Sequence, residues 1–408
     1  MSIKTDEEII LDEELTLEDE EMNDESIPDY ILDIAKSSSY QNQTVEYYKD
    51  YSDWRLKKNN KYAYTYVKDV REKTYVDGKG FVSDGPDKAE KIALSNCFKL
   101  VSCLLIIPQI FTFLEDYIIS KALGYDFKNL YYVGSTSYII NYSFSSVALS
   151  CIMHIIKMVV PIVLFFVITK IPKSVVLPKA KTSDYELSIS AIAFILMGTI
   201  IGKSINLLLG QAFSFVGIGV TDFVLVDFSD VKSVLVYAFC EYIIMSILVE
   251  VLFRGIILQL FRQFGDMFAL LVSCITNVLF FNDVTLIGYL TLTTVIIGLF
   301  TLRSGSIYTA IAMRISARLV VMVISICRFY IGEDIALWVE IIVSIVIISF
   351  ALVVYSRMIS KKLCDFNVTD SYTHLSTKTK FVVMFSTTTV IVWLVLTLVL
   401  MIFSVRFV

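Results

Sequence analysis

Long apolar runs, separated by short polar connections, dominate the chain from residue 93 onwards. Each run is about 20 residues long, which is the length that a helix needs to cross the hydrocarbon core of a bilayer. The pattern predicts nine spans, at about 93–114, 147–170, 187–209, 232–253, 267–282, 284–302, 306–328, 335–356 and 381–404. The fifth and sixth are short and are alternatively one broken element. We therefore expect eight or nine spans.

Composition supports a membrane protein over a soluble one. Hydrophobic residues make up 56% of the 408 residues and charged residues 18%, which is too little charge for the surface of a soluble chain of this length. The short alternating segments of a membrane β-barrel are missing from the sequence. The predicted fold class is all-α: a polytopic membrane helix bundle in a lipid bilayer.

The polar region before the first span divides into two parts. Residues 1–39 are an acidic tail, which we expect to be disordered because it has too few apolar residues to form a core. With one lysine and thirteen acids in residues 1–30, it does not resemble a cleavable leader. Residues 40–92 form a Tyr- and Lys-rich juxtamembrane segment, with a strand or hairpin expected over residues 62–67. This segment suits anionic lipid headgroups better than nucleic acid, since no nucleic-acid-binding motif accompanies it.

Basic residues are concentrated in the connections on one side of the predicted spans. One side has the lysines at 170–181, Arg254, Arg262, Arg303 and the basic residues at 357–380. The other side has the acids at 222–230, 283 and 333–334. By the positive-inside rule, the N-terminus is cytoplasmic and the C-terminus lies across the cell membrane.

Charged residues inside the spans are concentrated in two of them. The fourth span holds Glu241 and Glu250 and is followed by Arg254, while the seventh holds Arg314 and Arg318. Glu250 and Arg254 are four residues apart, as are the two arginines, so each pair shares a helix face. Because an ionisable group in a bilayer is costly, these residues indicate a functional site, an ion pair or a water-filled cavity.

Two sequence motifs in the same region are recognisable. The first is Glu-Val-Leu-Phe-Arg-Gly at 250–255, followed by Leu-Gln-Leu-Phe-Arg-Gln-Phe-Gly at 258–265, and the second runs from Gly298 to Ile307 with Ser-Gly-Ser at 304–306. They resemble the Glu-Glu-x-x-Phe-Arg-Gly and Gly-x-x-x-x-x-Thr/Ser-Gly-Ser-Leu motifs of the CAAX-protease/bacteriocin-processing family of intramembrane endopeptidases. The resemblance covers about residues 232–328. We accordingly divide the membrane part into 93–230, a CAAX-protease-like core at 231–328, and 329–408.

The family resemblance implies a hydrolytic site made of a Glu that activates water, two His residues and an Asn. When the family motifs are aligned with this sequence position by position, Glu250 and Arg254 match the first motif. The first Glu of the motif's Glu-Glu pair falls on Val249. The first family His falls on Phe281.

The last family His and the Asn fall on Arg314 and Arg318. The chain has only two histidines, His154 and His374, and neither matches a family position. We therefore expect a degenerate catalytic set.

The substitutions predict buried ion pairs in place of a catalytic centre. Guanidinium groups stay protonated and do not bind cations, so we expect neither the family-type metal nor any other cofactor. The hypothesis is that Arg314 and Arg318 pair with Glu250, with Glu241 as a further partner. The alternative is that both arginines snorkel or face a water-filled vestibule.

Other polar positions in the spans give weaker indications of a functional site. His154 and Lys157 are one turn apart and suit a polar seam, although a packing role is the simpler interpretation. The Asn282-Asp283 pair suits a turn between two short spans, with an acid-catalyst role for Asp283 as the alternative. We expect the seven cysteines to be packing residues rather than disulfide or metal partners.

Three functions remain open on the sequence. The first is a non-catalytic membrane protein of the family, a binding or regulatory pseudoprotease with a membrane peptide or protein as partner. The second is an active membrane endopeptidase that uses Glu241, Glu250 and Asp283. The third is a transporter or channel, for which the sequence shows no inverted repeat.

Overall fold

The computed structural model describes residues 42–57, 59–64, 74–76, 80–82, 85–114, 144–182, 184–215, 218–219, 231–284, 286–361, 373–404 and 406–407. The described chain is helical, and the few strands are two or three residues long. The acidic tail predicted for residues 1–39 lies outside these ranges.

Twelve helices carry the described fold. They are α1 Val45–Leu56, α2 Gly85–Leu114, α3 Phe144–Thr169, α4 Lys173–Val176, α5 Tyr185–Ser214, α6 Val231–Phe264, α7 Asp266–Phe280, α8 Ile287–Ser304, α9 Ile307–Ile331, α10 Glu333–Ser360, α11 Thr377–Ser386 and α12 Thr388–Ser404. Two short antiparallel pairs accompany them: β1 Thr74–Val76 with β2 Gly80–Val82, and β3 Ile218–Gly219 with β4 Arg406–Phe407.

Each of the nine predicted apolar segments corresponds to helix, so the polytopic helical bundle is confirmed. Among the described residues, seven helices are long and apolar enough to cross a membrane, and the pair α11 and α12, bent by 73° at their junction, would make eight. The predicted fifth span is α7, which at 15 residues is shorter than a span. The predicted fourth span ends too early, because α6 continues to Phe264.

The predicted fifth and sixth spans correspond to two helices, α7 and α8, joined by a turn. Asn282, in the turn between α7 and α8, has a φ of 53°, a left-handed conformation that asparagine tolerates better than most residues. The predicted turn at Asn282 is therefore confirmed.

The bundle has two main apolar cores. One is formed by α2, α3, α6, α7, α11 and α12 together with the N-terminal segment, and the other by α5, α8, α9 and α10. On α10 only one narrow face is buried, and large apolar side chains such as Trp338 and Phe350 are exposed around the rest. Lipid tails are the environment that such a surface requires.

The N-terminal segment, residues 42–64, packs on one end of the bundle. Asn42 bonds to Thr182 just before α5, and to the Ser304 carbonyl at the end of α8. Tyr62, Ala63 and Tyr64 form a turn, so the strand expected from residue 62 is wrong there, and residues 65–67 lie outside the described ranges. The hairpin lies further along, at β1 and β2. We call the end that this segment contacts the N-terminal face.

The last strand lies at the opposite end of the bundle. Ile218 pairs with Phe407 and Gly219 with Arg406, and this pairing holds the C-terminal strand beyond the end of α5. The N-terminal segment contacts the residues just before the start of α5. The two ends of the described chain therefore lie at opposite ends of a membrane-length helix.

Candidate functional site

Helix α6 carries both acidic residues of the predicted site and is irregular on either side of Glu250. It is π-helical over Phe239–Ile244 and again over Val251–Ile257, with a regular α-helical turn between them. Wide turns of this kind free backbone carbonyls and are frequent at functional sites. The Ser273 hydroxyl of α7 donates to the carbonyl of Phe253 (2.8 Å) and the Gln259 amide to that of Arg254 (3.3 Å).

Glu250 lies between two guanidinium groups. Arg254, one turn further along α6, has its Nε 3.3 Å from Glu250 Oε2, and Arg314 of α9 donates from Nε to Glu250 Oε1. Arg314 is buried, and Glu250 and Arg254 have no exposed surface. The predicted pairing of Arg314 with Glu250 is thus confirmed, and the alternative of a lipid-facing Arg314 is wrong.

Asn277 of α7 completes this arrangement, which we call the Glu250 cluster: Glu250, Arg254, Asn277 and Arg314. With its amide oxygen turned toward the arginines, Asn277 accepts from Arg254 Nη1 and, at 3.2 Å, from Arg314 Nη2; the opposite orientation would set N–H groups against N–H groups. Arg254 Nη2 donates to the carbonyl of Thr294 on α8 at 2.9 Å. Four helices thus converge on one buried carboxylate.

The second carboxylate of α6 has partners of its own. His154 Nδ1 lies 2.9 Å from Glu241 Oε1, and Arg318 Nη1 lies 3.7 Å from Glu241 Oε2 and also donates to the Glu241 carbonyl. We call these three residues the Glu241 cluster. The side chains of Glu241 and His154 are 12% and 13% exposed and that of Arg318 is 22% exposed. The prediction that Arg318 pairs with Glu250 is wrong, and its carboxylate contact among the described residues is with Glu241, the further partner in that prediction.

The other positions singled out in the sequence do not join either cluster through the contacts described. Val249 is buried in the apolar core, and Phe281 ends α7, with its ring 5.7 Å from that of Phe280. Asp283 lies in the turn that follows. His374 lies in the bend before α11 and is exposed.

Sequence reasoning missed two contributors. Asn277 lies four residues before Phe281, where the family resemblance implies a histidine, and an amide in a short apolar helix is the available signal. His154 contacts Glu241, which fits the alternative of a polar seam better than the packing role that the sequence favours.

Two of the glycines in the recognised motifs are required by the space and backbone conformation at their positions. Gly305 ends α8 with a φ of 66°, a left-handed conformation, and the carbonyl of Asn42 occupies the space that a side chain would need. A Cβ on Gly255 would lie 2.6 Å from the carbonyl of Val176 on α4. Ser306 then begins α9 by accepting from the Tyr308 N–H at 3.2 Å. These residues fix where α6, α8 and α9 meet.

Tyrosines of α1 cover the end of α6 at the N-terminal face. Tyr47 donates to Gln259 Oε1 at 2.7 Å and accepts from Arg262 Nη1 at 3.1 Å, while Tyr51 donates to the Gln259 carbonyl at 2.7 Å. Burial raises the pKa of Tyr47 to about 12, even though the Arg262 charge acts in the opposite direction. These rings are buried against the protein, which differs from the headgroup-facing role expected for them.

The Glu250 cluster does not suit a divalent metal. It supplies one carboxylate, and two guanidiniums occupy the space around that carboxylate. In the part of the chain that is described, no group of three or more His, Cys, Asp or Glu side chains is arranged to hold a metal ion. The chemistry available at the cluster is ion pairing and hydrogen bonding.

Comparison with known proteins identifies the region around these clusters. Residues 231–320 match the family model described as type II CAAX prenyl endopeptidase Rce1-like. No curated protein and no solved structure matches the chain. The matched residues run from the start of α6 into α9 and so include the acidic and arginine residues of both clusters.

Proposed function

We propose that this chain is a non-catalytic, membrane-embedded relative of the type II CAAX prenyl endopeptidases, which uses their helical frame for binding or regulation. The matched segment supplies the frame. By the sequence motifs, Glu250 and Arg254 match the first family motif, and Arg314 falls where the resemblance implies the last family His. A membrane peptide or a membrane protein segment is the proposed partner.

One observation carries the proposal: both oxygens of Glu250 face guanidinium groups. A general base needs an oxygen that reaches the water whose proton it takes. Arg314 donates to one oxygen, Arg254 Nε lies 3.3 Å from the other without hydrogen-bond geometry, and no surface of Glu250 is exposed. The same donors make a metal-activated water an unsuitable alternative, so the proposed site works without a metal or cofactor.

The proposed orientation places the N-terminal face in the cytoplasm and the protein in the cell membrane. Basic residues support this, because Arg262 lies at that face and Lys361, after α10, contacts Glu186 at the start of α5. A reporter enzyme fused before residue 42 should be protected from external protease in intact cells, and one fused after residue 408 should be digested. The reverse pattern would contradict this orientation.

An active endopeptidase is the second candidate, and one contact favours it. His154 and Glu241 form an imidazole–carboxylate pair at 2.9 Å, a combination that hydrolases use to activate water or a nucleophile. Its acidic residues would be Glu241, Glu250 and Asp283.

Cleavage in reconstituted vesicles separates the two candidates. The purified full-length protein is incubated in vesicles with a library of membrane-anchored peptides, and the products and the retained peptides are identified by mass spectrometry. We expect the same products as from empty vesicles, together with a set of peptides retained by the protein.

Products that disappear in Glu241→Gln, Glu250→Gln or Asp283→Asn would establish the active enzyme and contradict the proposal. Arg357→Gln, at an exposed position near the end of α10, is the matched control. Each variant is first checked for a monodisperse profile, so that loss of folding is not mistaken for loss of cleavage. Absence of both cleavage and retained peptides would contradict the binding role.

A further inference from the structure

Helices α3 and α6 each place a cysteine at the interface between them. The Cys240 thiol of α6 donates to the carbonyl of Cys151 on α3 at 3.7 Å, and the two thiol groups also interact directly with each other. Both side chains are buried, in a small apolar core that includes Val147 and Tyr237. This contact goes beyond the separate packing roles that the sequence suggests for the cysteines.

The spacing of the two residues suits a covalent bond between them. A disulfide forms only where the two cysteines approach closely, with Cβ atoms about 3.5–4.5 Å apart. The Cys240 sulfur touches the backbone of Cys151, and the neighbouring pair His154 and Glu241 is in contact across the same two helices at 2.9 Å. Because both contacts hold α3 against α6, an S–S bond here requires no rearrangement of the bundle.

Both cysteines lie far from the N-terminal face. Near that face, the Gln259 carbonyl of α6 accepts from Tyr51, and the Thr169 carbonyl of α3 accepts from Trp54. At 1.5 Å per residue, Cys240 and Cys151 are each roughly 27–29 Å along their helices from these contacts. They are therefore close to the opposite boundary of a hydrocarbon core that is about 30 Å thick. In the proposed orientation this boundary faces away from the cytoplasm, on the side where disulfides persist.

We propose that Cys151 and Cys240 are a modification site, an oxidisable thiol pair that a hydroperoxide converts into a disulfide between α3 and α6. One thiol attacks the peroxide as its thiolate, so an S–O bond forms, the O–O bond breaks, and the departing oxygen takes up the thiol proton. The second thiol attacks the resulting sulfenic sulfur, so the S–S bond forms as the S–O bond breaks, and hydroxide leaves with the second proton as water. Two electrons pass from the two sulfurs to the peroxide.

The disulfide would act directly on the Glu241 cluster. His154 follows Cys151 by one helical turn, and Glu241 is the next residue after Cys240. The S–S bond would therefore link the two helices beside the contact between His154 and Glu241 and hold that contact closed. This modification goes beyond the proposed function, because it does not require that the protein bind or cleave a peptide.

Thiol mapping of the full-length protein tests the site. The purified protein is reduced in detergent and then incubated with hydrogen peroxide, well beyond the time in which the exposed Cys103 loses its free thiol. Remaining thiols are alkylated, and disulfide-linked peptides are identified by mass spectrometry. We expect peptides that contain Cys151 and Cys240 to be linked, and to separate on reduction. Because the bond closes a long loop of chain, oxidation should also raise the melting temperature by several degrees.

Substitutions assign the effect to these residues. Cys151→Ala and Cys240→Ala should each abolish both the linked peptides and the rise in melting temperature. Cys274→Ala is the matched control, since Cys274 is also buried but lies on α7, and this variant should respond to peroxide as the natural protein does.

A natural protein in which Cys151 and Cys240 stay unlinked after Cys103 has been oxidised would overturn the proposal. A disulfide from either residue to a different cysteine would overturn it as well, and so would an equal rise in melting temperature in Cys151→Ala. If the alanine variants do not fold, the peptide map of the natural protein decides alone. An inactive or non-binding protein in the peptide experiment leaves this test intact.

Discussion

Glu241 and Glu250 lie nine residues apart on one helix, both face an arginine of α9, and yet their surroundings differ. Glu250 is fully buried among residues of four helices, whereas the Glu241 cluster keeps part of each side chain exposed. Burial changes what a charge pair contributes, because a buried charge that loses its partner has no water to replace it. We interpret the Glu250 cluster as a structural junction of the helices and the Glu241 cluster as the accessible part of the site.

The Glu250 cluster also shows which groups the matched segment brings together. Where the family resemblance implies Glu, His and Asn, the groups that meet are guanidiniums, a carboxylate and an amide. Such groups preserve helix contacts through charge and hydrogen bonds. A match to the family model therefore does not by itself establish catalysis.

The largest expected effect comes from neutralising the buried carboxylate. Glu250→Gln leaves Arg254 and Arg314 without a counter-charge and should destabilise the protein by about 3–5 kcal/mol. Thermal unfolding in detergent, followed by tryptophan fluorescence, measures it. Glu241→Gln is the matched control and should destabilise the protein less, since part of each side chain in that cluster is exposed. Equal losses in the two variants would remove the distinction between the clusters.

A smaller effect is expected from the amide that bridges the arginines. Asn277→Leu keeps a similar volume but leaves Arg254 Nη1 and Arg314 Nη2 without their acceptor, at a cost of about 1–3 kcal/mol. The same unfolding measurement applies. Ser273→Ala, which removes only a neutral bond to a carbonyl, should cost about 1 kcal/mol. An Asn277→Leu variant with unchanged stability would show that the arginines do not depend on α7.

The smallest effect is expected at the accessible cluster. His154→Leu removes the imidazole from a partly exposed Glu241 and should cost about 0.5–1.5 kcal/mol. His374→Leu, at an exposed position before α11, should leave the melting temperature unchanged. A loss at His154 as large as that of Glu250→Gln would place both clusters in the same structural class.

The sequence predicted the helices well because their signal is local. A run of about 20 apolar residues specifies a span by itself, and the pairing of Arg314 with Glu250 followed from the high cost of a lone buried charge. The length of α6 was underestimated, since polar residues such as Gln259 and Arg262 end an apolar run without ending the helix. Their buried partners on α1 allow the helix to continue.

Contacts between distant segments explain most of what was missed. Asn277 carries no charge and lies in a helix shorter than a span, so only the convergence of α6, α7 and α9 gives it a role. The sequence suggests that the tyrosines of α1 face lipid headgroups, because their acceptor, Gln259, lies more than 200 residues away in the chain. Periodicity cannot reveal such pairs.

The N-terminal segment also sets an order of events during synthesis. Asn42 bonds to the Ser304 carbonyl, a residue 262 positions later in the chain. At about 5–20 residues per second, the ribosome takes roughly 10–50 s to make the intervening chain. Other contacts of this segment, such as those of Asn42 with Thr182 and of Tyr47 with Gln259, involve residues that are synthesised earlier. The N-terminal segment can therefore dock in steps as successive helices are completed, and the contact with Ser304 must follow the synthesis of α8.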